Sequence, residues 1–80
     1  MKGTKSVISD ENKKLCAWLK QQRQLKKHTM RSLSELLGTP HSFIGKVENQ
    51  ERRLDVVEFV RYCQALEVDP AEGLRQVTSN

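Results

Sequence analysis

At 80 residues the chain has the length of one small domain, and so short a chain buries only about 60% of the surface it exposes when unfolded, which argues against a deep, walled catalytic cavity. Apolar residues make up 36% of it and aromatics 5%, lean for a globular chain but above the disordered range, and 14 basic against 10 acidic side chains leave a net charge of +4. The longest apolar run, Leu15 to Leu19, is far short of the roughly 20 residues of a membrane span, and no apolar stretch follows the N-terminal lysines, so neither a membrane helix nor a secretory leader is expected and the location read is cytoplasmic.

Residues 1–8 have no usable period and read as a flexible N-terminal tail. Ser9 is placed to cap a first helix, with Asp10 and Glu11 where the helix dipole favours anions. Leu15, Trp18, Leu19 and Leu25 then fall on one apolar stripe, interrupted by Gln22, and cations place the helix end near Lys26 or Lys27. Thr29 caps a short second helix whose expected buried face is Met30, Leu33, Leu36 and Leu37. Gly38 follows at once, the residue most easily held at positive φ past a helix end. Thr39-Pro40 then reads as a cap followed by a first-position proline, which opens a third helix with Phe43, Ile44 and Val47 as its apolar positions.

A polar connector, residues 49–54, leads to Asp55 and Glu58, spaced as a capping box, with Leu54 and Phe59 spaced as its hydrophobic staple. Val56, Phe59, Val60, Cys63 and Leu66 are the expected core face of the fourth helix. Asp69, Pro70 and Glu72 start a fifth that runs to about Val77. No segment alternates with period two and no hairpin turn signal appears. The fold class is therefore all-α: a compact five-helix domain over residues 9–77, with residues 78–80 as a C-terminal tail.

Cys16 and Cys63 have no CxxC spacing, and His28 and His41 are not grouped around them, so no metal site is expected and both thiols read as small buried hydrophobes. The charge is unevenly spread: residues 1–31 carry nine basic and two acidic side chains, whereas residues 55–80 carry two basic and five acidic. A basic front and an acidic rear suit a polyanion on one side, although a solvated Lys-rich helix face has the same composition.

The informative stretch is Thr29 to Asn49. Two short helices joined across Gly38-Thr39 cannot lie antiparallel over so tight a turn, so they cross steeply, as in a helix-turn-helix. Arg23, Thr29 six residues later, Leu37-Gly38, Ile44 and Glu48-Asn49-Gln50, followed by Leu54, Phe59 and Leu66, resemble the pattern of the Cro/CI-type (Xre-like) helix-turn-helix regulators, the lambda-repressor-like fold. The resemblance runs without gaps over residues 12–70. It departs at Met30, where relatives commonly have a phosphate-contacting Gln, at Ser34 in place of Ala, and at Gln50 in place of Gly.

The resemblance implies a DNA-binding transcription regulator, a repressor binding a palindromic operator as a homodimer, with no cofactor. The recognition helix would be Pro40 to about Glu48. His41, Ser42 and Lys46 would meet base edges, and Phe43 would either touch a thymine methyl or pack inside. Thr39, Arg31, Asn49, Arg52 and Arg53 would contact phosphates, while Arg23 and Glu48 would form a structural ion pair. Val68, Leu74 and Val77 would form the dimer surface, unless they close the monomer core. Phage repressors, restriction-modification controllers and antitoxins share this plan. The other reading is a protein-interaction adaptor or antitoxin-like module that keeps the fold with weak or no operator reading. An enzyme is not expected, because paired acids in a cleft, a metal-ligand cluster and a phosphate-binding glycine loop are all missing from the sequence.

Overall fold

A computed structural model describes residues 9–78 as five helices: α1 (Asp10–Leu25), α2 (Met30–Leu37), α3 (Ser42–Glu48), α4 (Val56–Leu66) and α5 (Pro70–Thr78). No strand occurs among the described residues. The tail expected over residues 1–8 and the last two residues of the C-terminal tail lie outside them, and Thr78, assigned to that tail, is the last residue of α5.

The helix starts follow local chemistry. Ser9 Oγ accepts from the Asn12 amide at 3.0 Å. Thr29 and Ser32 form a reciprocal capping box, as do Asp55 and Glu58. α3 differs. It begins at Ser42 with His41 in the cap position and no side-chain cap bond, two residues after the proline expected to open it. The Thr39 hydroxyl, expected to cap it, turns back and donates to the Ser34 carbonyl at 3.3 Å.

α1, α2, α3 and α4 end alike. In each, a residue at positive φ sends its amide back into the last turn, and the next amide reaches one residue further, as from Glu51 to the Lys46 carbonyl at 2.7 Å. The positive-φ residues are Lys27, Gly38, Gln50 and Glu67. Only Gly38 is free of the steric cost that a Cβ brings there.

The core is built from Cys16, Trp18, Leu19, Leu33, Ile44, Val47, Phe59, Tyr62, Cys63 and Leu66. Several expected core positions fall outside it. Leu25 is 65% exposed: it lies nearly in line with buried Trp18 seven residues earlier, but it is the last residue of α1, past the point where Trp18 meets Gly73 of α5. Leu36, 60% exposed, points away from the side on which α2 turns Leu33 and Ser34 inward, whereas Met30 shares their side but stands at the first residue of the helix and stays 38% exposed. Val56, 78% exposed, starts α4 where no element covers it, while Tyr62 is fully buried.

α1 packs chiefly on α5, and Gly73 allows the approach: a Cβ built there would lie 2.7 Å from the Trp18 ring and 2.9 Å from Phe59. A methyl at 73 therefore forces two core aromatics to shift, at about 1–3 kcal/mol. The gain from replacing a helical Gly, about 0.8–1 kcal/mol, offsets only part of that. Gly73→Ala is expected to lower the melting temperature by roughly 5 °C, read by circular dichroism.

The chief polar element of this interior is an ion pair. Arg23 Nε donates to Glu48 Oε2 at 2.6 Å, Nη2 to Oε1 at 3.2 Å and Nη1 to the His28 carbonyl at 2.8 Å. The two side chains are only 10% and 3% exposed. Removing one partner leaves a charge buried and uncompensated, so Glu48→Ala should lose about 3–5 kcal/mol in urea unfolding. The apolar double variant Arg23→Met/Glu48→Leu should recover most of that loss.

Candidate nucleic-acid interface

α3 is seven residues long, too short to be stable by itself, so its pose is set by what it packs on. Ile44 and Val47 are fully buried and fix its inner face. Glu48 ties its C-terminal end to α1 through Arg23. The other side is free: Ser42, Lys46 and Asn49 are exposed and follow one another at spacings of four and three, and His41 is exposed at the start. Lys46 is in no ion pair among the described residues. Four polar side chains thus share one outward ridge.

α2 flanks this ridge. Arg31, 72% exposed, pairs with Glu35 at 3.7 Å, and His41 Nε2 lies 3.6 Å from the same Glu35 carboxylate, an ion pair when His41 is protonated. Met30 leans toward the middle of α3, its sulfur 3.7 Å from where a Cβ on Gly45 would stand. Glu35 escaped the sequence reading. Its pairing with Arg31 is a readable i,i+4 relation, but its approach to His41 crosses the turn and depends on the angle between two helices.

The residues expected to contact phosphates differ in how far their side chains are already engaged. Thr39 is half-buried with its hydroxyl engaged. Asn49 and Arg53 are exposed at the end of α3 and in the following loop, and Arg53 is in no ion pair among the described residues. Arg52 is occupied: Nη2 donates to Glu58 Oε2, Nη1 donates to the Arg53 carbonyl at 2.7 Å, and the guanidinium carbon stands 5.1 Å from the Phe43 ring centroid. Phe43 is half-buried and packs against the core, beside Leu37, Thr39, Glu58 and Arg61. The loop itself turns at Gln50, which takes the positive φ of 64° that the replaced glycine would have adopted freely.

Behind the ridge, burial and the nearby Glu48 carboxylate push the Tyr62 hydroxyl well above its ordinary range and raise the Cys16 thiol. Burial, with Asp69 adding to it, pushes the Cys63 thiol up to about 11. Both cysteines are therefore protonated and inert near neutral pH. Among the described residues no three His, Cys, Asp or Glu side chains gather as a metal site, and no helix is long and apolar enough to cross a membrane.

The comparisons agree with this geometry. A family model described as helix-turn-helix matches residues 19–73. Among solved structures, an XRE-family like protein from Pseudomonas syringae pv. tomato is 37% identical with a TM-score of 0.78, over 84% of this chain and 82% of that one. The restriction-modification controller protein C.AhdI from Aeromonas hydrophila is 26% identical with a TM-score of 0.75, over 81% of this chain and 98% of that one. The clp gene regulator ClgR from C. glutamicum, 21% identical over 88% of this chain and 91% of its own, with a TM-score of 0.78, shares the fold. No curated protein matches the chain. With α2 packed on α3 across the short Gly38 turn, an outer ridge on α3 and a family match across most of its length, the chain belongs to the XRE family of helix-turn-helix, DNA-binding transcription regulators.

Proposed function

We propose that the protein is a sequence-specific double-stranded DNA-binding repressor that acts by occupying a palindromic operator as a homodimer. The observation that carries this reading is the polar ridge of α3, presented by a helix whose opposite face and C-terminal end are locked into the core. A helix held this way can enter a major groove without first being ordered, and His41, Ser42 and Lys46 offer donors and acceptors to base edges. Arg31, Asn49 and Arg53 stand around the ridge to meet phosphates, with Thr39 at its start, and these contacts fix register more than they read sequence.

One ridge touches too few base pairs for useful selectivity, and two ridges one DNA turn apart solve that. The apolar groove between α4 and α5 supports a second copy there. Leu15, Leu54, Val56, Phe59, Val60, Ala71 and Leu74 line it, and Leu74 is 55% exposed. Of the other two residues expected at a dimer surface, Val68 packs partly on the core and Val77 is half-buried beside Leu15 and Leu54, so Leu74 carries this part of the reading. The protein-interaction adaptor keeps one observation in its favour: Met30 and Leu36 expose apolar surface on α2, where relatives bring a polar phosphate contact.

Selection from a random duplex pool at near-physiological salt decides between the two readings. Enrichment of an inverted repeat with half-sites about one helical turn apart is expected, and an unenriched pool with folded protein would favour the adaptor. On the enriched duplex, His41→Ala and Lys46→Ala should each cost about 1–3 kcal/mol and relax preference at particular base pairs. An equal loss on every sequence would remove them from base reading.

Leu74→Glu should weaken self-association at least about 100-fold, because a two-fold interface loses two buried leucines at once. Sedimentation equilibrium would show it. Affinity for an isolated half-site should stay as it was.

A further inference from the structure

We propose that Arg52 is a positioning residue, which holds the recognition helix in place through Phe43 and does not itself bind phosphate; the DNA part of this inference rests on the reading above. Three contacts converge on its guanidinium. One edge donates to Glu58 Oε2, another to the Arg53 carbonyl at 2.7 Å, and the carbon stands 5.1 Å from the Phe43 ring centroid. Glu58 is not a loose partner. Its other oxygen accepts from the Asp55 amide at 2.9 Å, while its own amide donates to Asp55 Oδ1 at 2.8 Å. The carboxylate is thus oriented by the capping box at the start of α4, where the helix dipole also favours it.

Arg52 therefore joins two elements that no other described ion pair joins. It is anchored to the first turn of α4 and covers a side chain of α3. The need for this is visible in α3 itself. Its C-terminal end is held by Glu48 and its inner face by Ile44 and Val47, but its first turn has no side-chain cap. Phe43 is the half-buried aromatic of that turn, and Arg52 is the charge that lies over it.

A phosphate would have to draw the guanidinium off an oriented carboxylate and off the ring together. The local charge of the pair is already balanced, so little counterion release is left for it to supply. Lysine cannot substitute, since only a planar fork stacks on a ring while bonding two acceptors.

The closing experiment compares Arg52→Ala, Arg52→Lys and Phe43→Leu with Arg53→Ala as the contrast. In the free protein, amide hydrogen exchange over residues 42–47 should quicken roughly three- to tenfold in Arg52→Ala, with α5 unchanged, as loss of one partly exposed ion pair and one cation–π contact implies. Affinity for the duplex enriched from the random pool is then followed from 50 to 200 mM salt, beside a duplex carrying one mismatched base pair. Both Arg52 variants and Phe43→Leu should lose discrimination between the two duplexes with the salt slope unchanged. Arg53→Ala should keep discrimination and flatten the slope by about 0.9.

Unchanged exchange over residues 42–47 in Arg52→Ala would overturn the proposal. So would a flattened slope in Arg52→Ala with Arg52→Lys near the parent protein, the behaviour of a phosphate contact. If the parent protein selects no duplex while Arg52→Ala still loosens α3, the operator reading fails and the hold of Arg52 on α3 stands.

Discussion

The arrangement depends on one buried contact, the fork of Arg23 against Glu48. It gathers three separate pieces of chain: α1 through Arg23, the loop before α2 through the His28 carbonyl, and α3 through Glu48. Taking two charges out of water costs several kcal/mol per ion, and mutual attraction returns that only when geometry and extra hydrogen bonds are good. Both conditions hold, since every oxygen of Glu48 has a donor and Arg23 finds a third acceptor in the backbone. An apolar pair of the same volume would fill the space without such directional demands. The ion pair instead admits one register of α3 against α1.

That constraint accounts for how the short elements are finished. With α3 docked at its C-terminal end, the chain must reverse at once to reach α4, and it does so through Gln50 at positive φ. Lys27 and Glu67 accept the same conformation after α1 and α4. The strain is tolerated because each such residue lets two amides close onto carbonyls of the preceding turn, leaving fewer buried backbone groups unpaired.

The caps of α1, α2 and α4 were readable from the sequence because they depend on neighbours within four residues: Ser9 with Asn12, Thr29 with Ser32, Asp55 with Glu58; the start of α3 was not, since Thr39 turns back to the Ser34 carbonyl of the preceding helix. The inward faces were less readable. A stripe of apolar residues gives the phase of a face but not where along the helix a neighbour covers it, so Leu25, Met30 and Val56 fall in line with buried residues yet stay exposed at helix ends, and Tyr62 is buried without having been expected there. The same division runs through the site. The outward positions of α3 follow from its spacing and from the family resemblance. The links from Arg52 to Phe43 and from Glu35 to His41 do not, because each spans a turn whose angle is a property of the assembled core.

On the proposed reading, the two carboxylates set among these cations bear on selectivity. Binding to any DNA is dominated by cations that meet phosphates, whereas preference for one site comes from base edges and from the precision of the approach. Glu58 occupies Arg52, and Glu35 lies between Arg31 and His41. Each lowers the part of the attraction that is blind to sequence. The ridge cation that is in no ion pair among the described residues is Lys46, one turn into α3, which on this reading would meet base edges. A basic domain that pairs some of its own cations gives up affinity for arbitrary DNA and keeps affinity where the ridge fits. The rigid hold on α3 is what makes that exchange favourable, since a recognition helix free to tilt would lose its hydrogen-bond geometry at the base edges first.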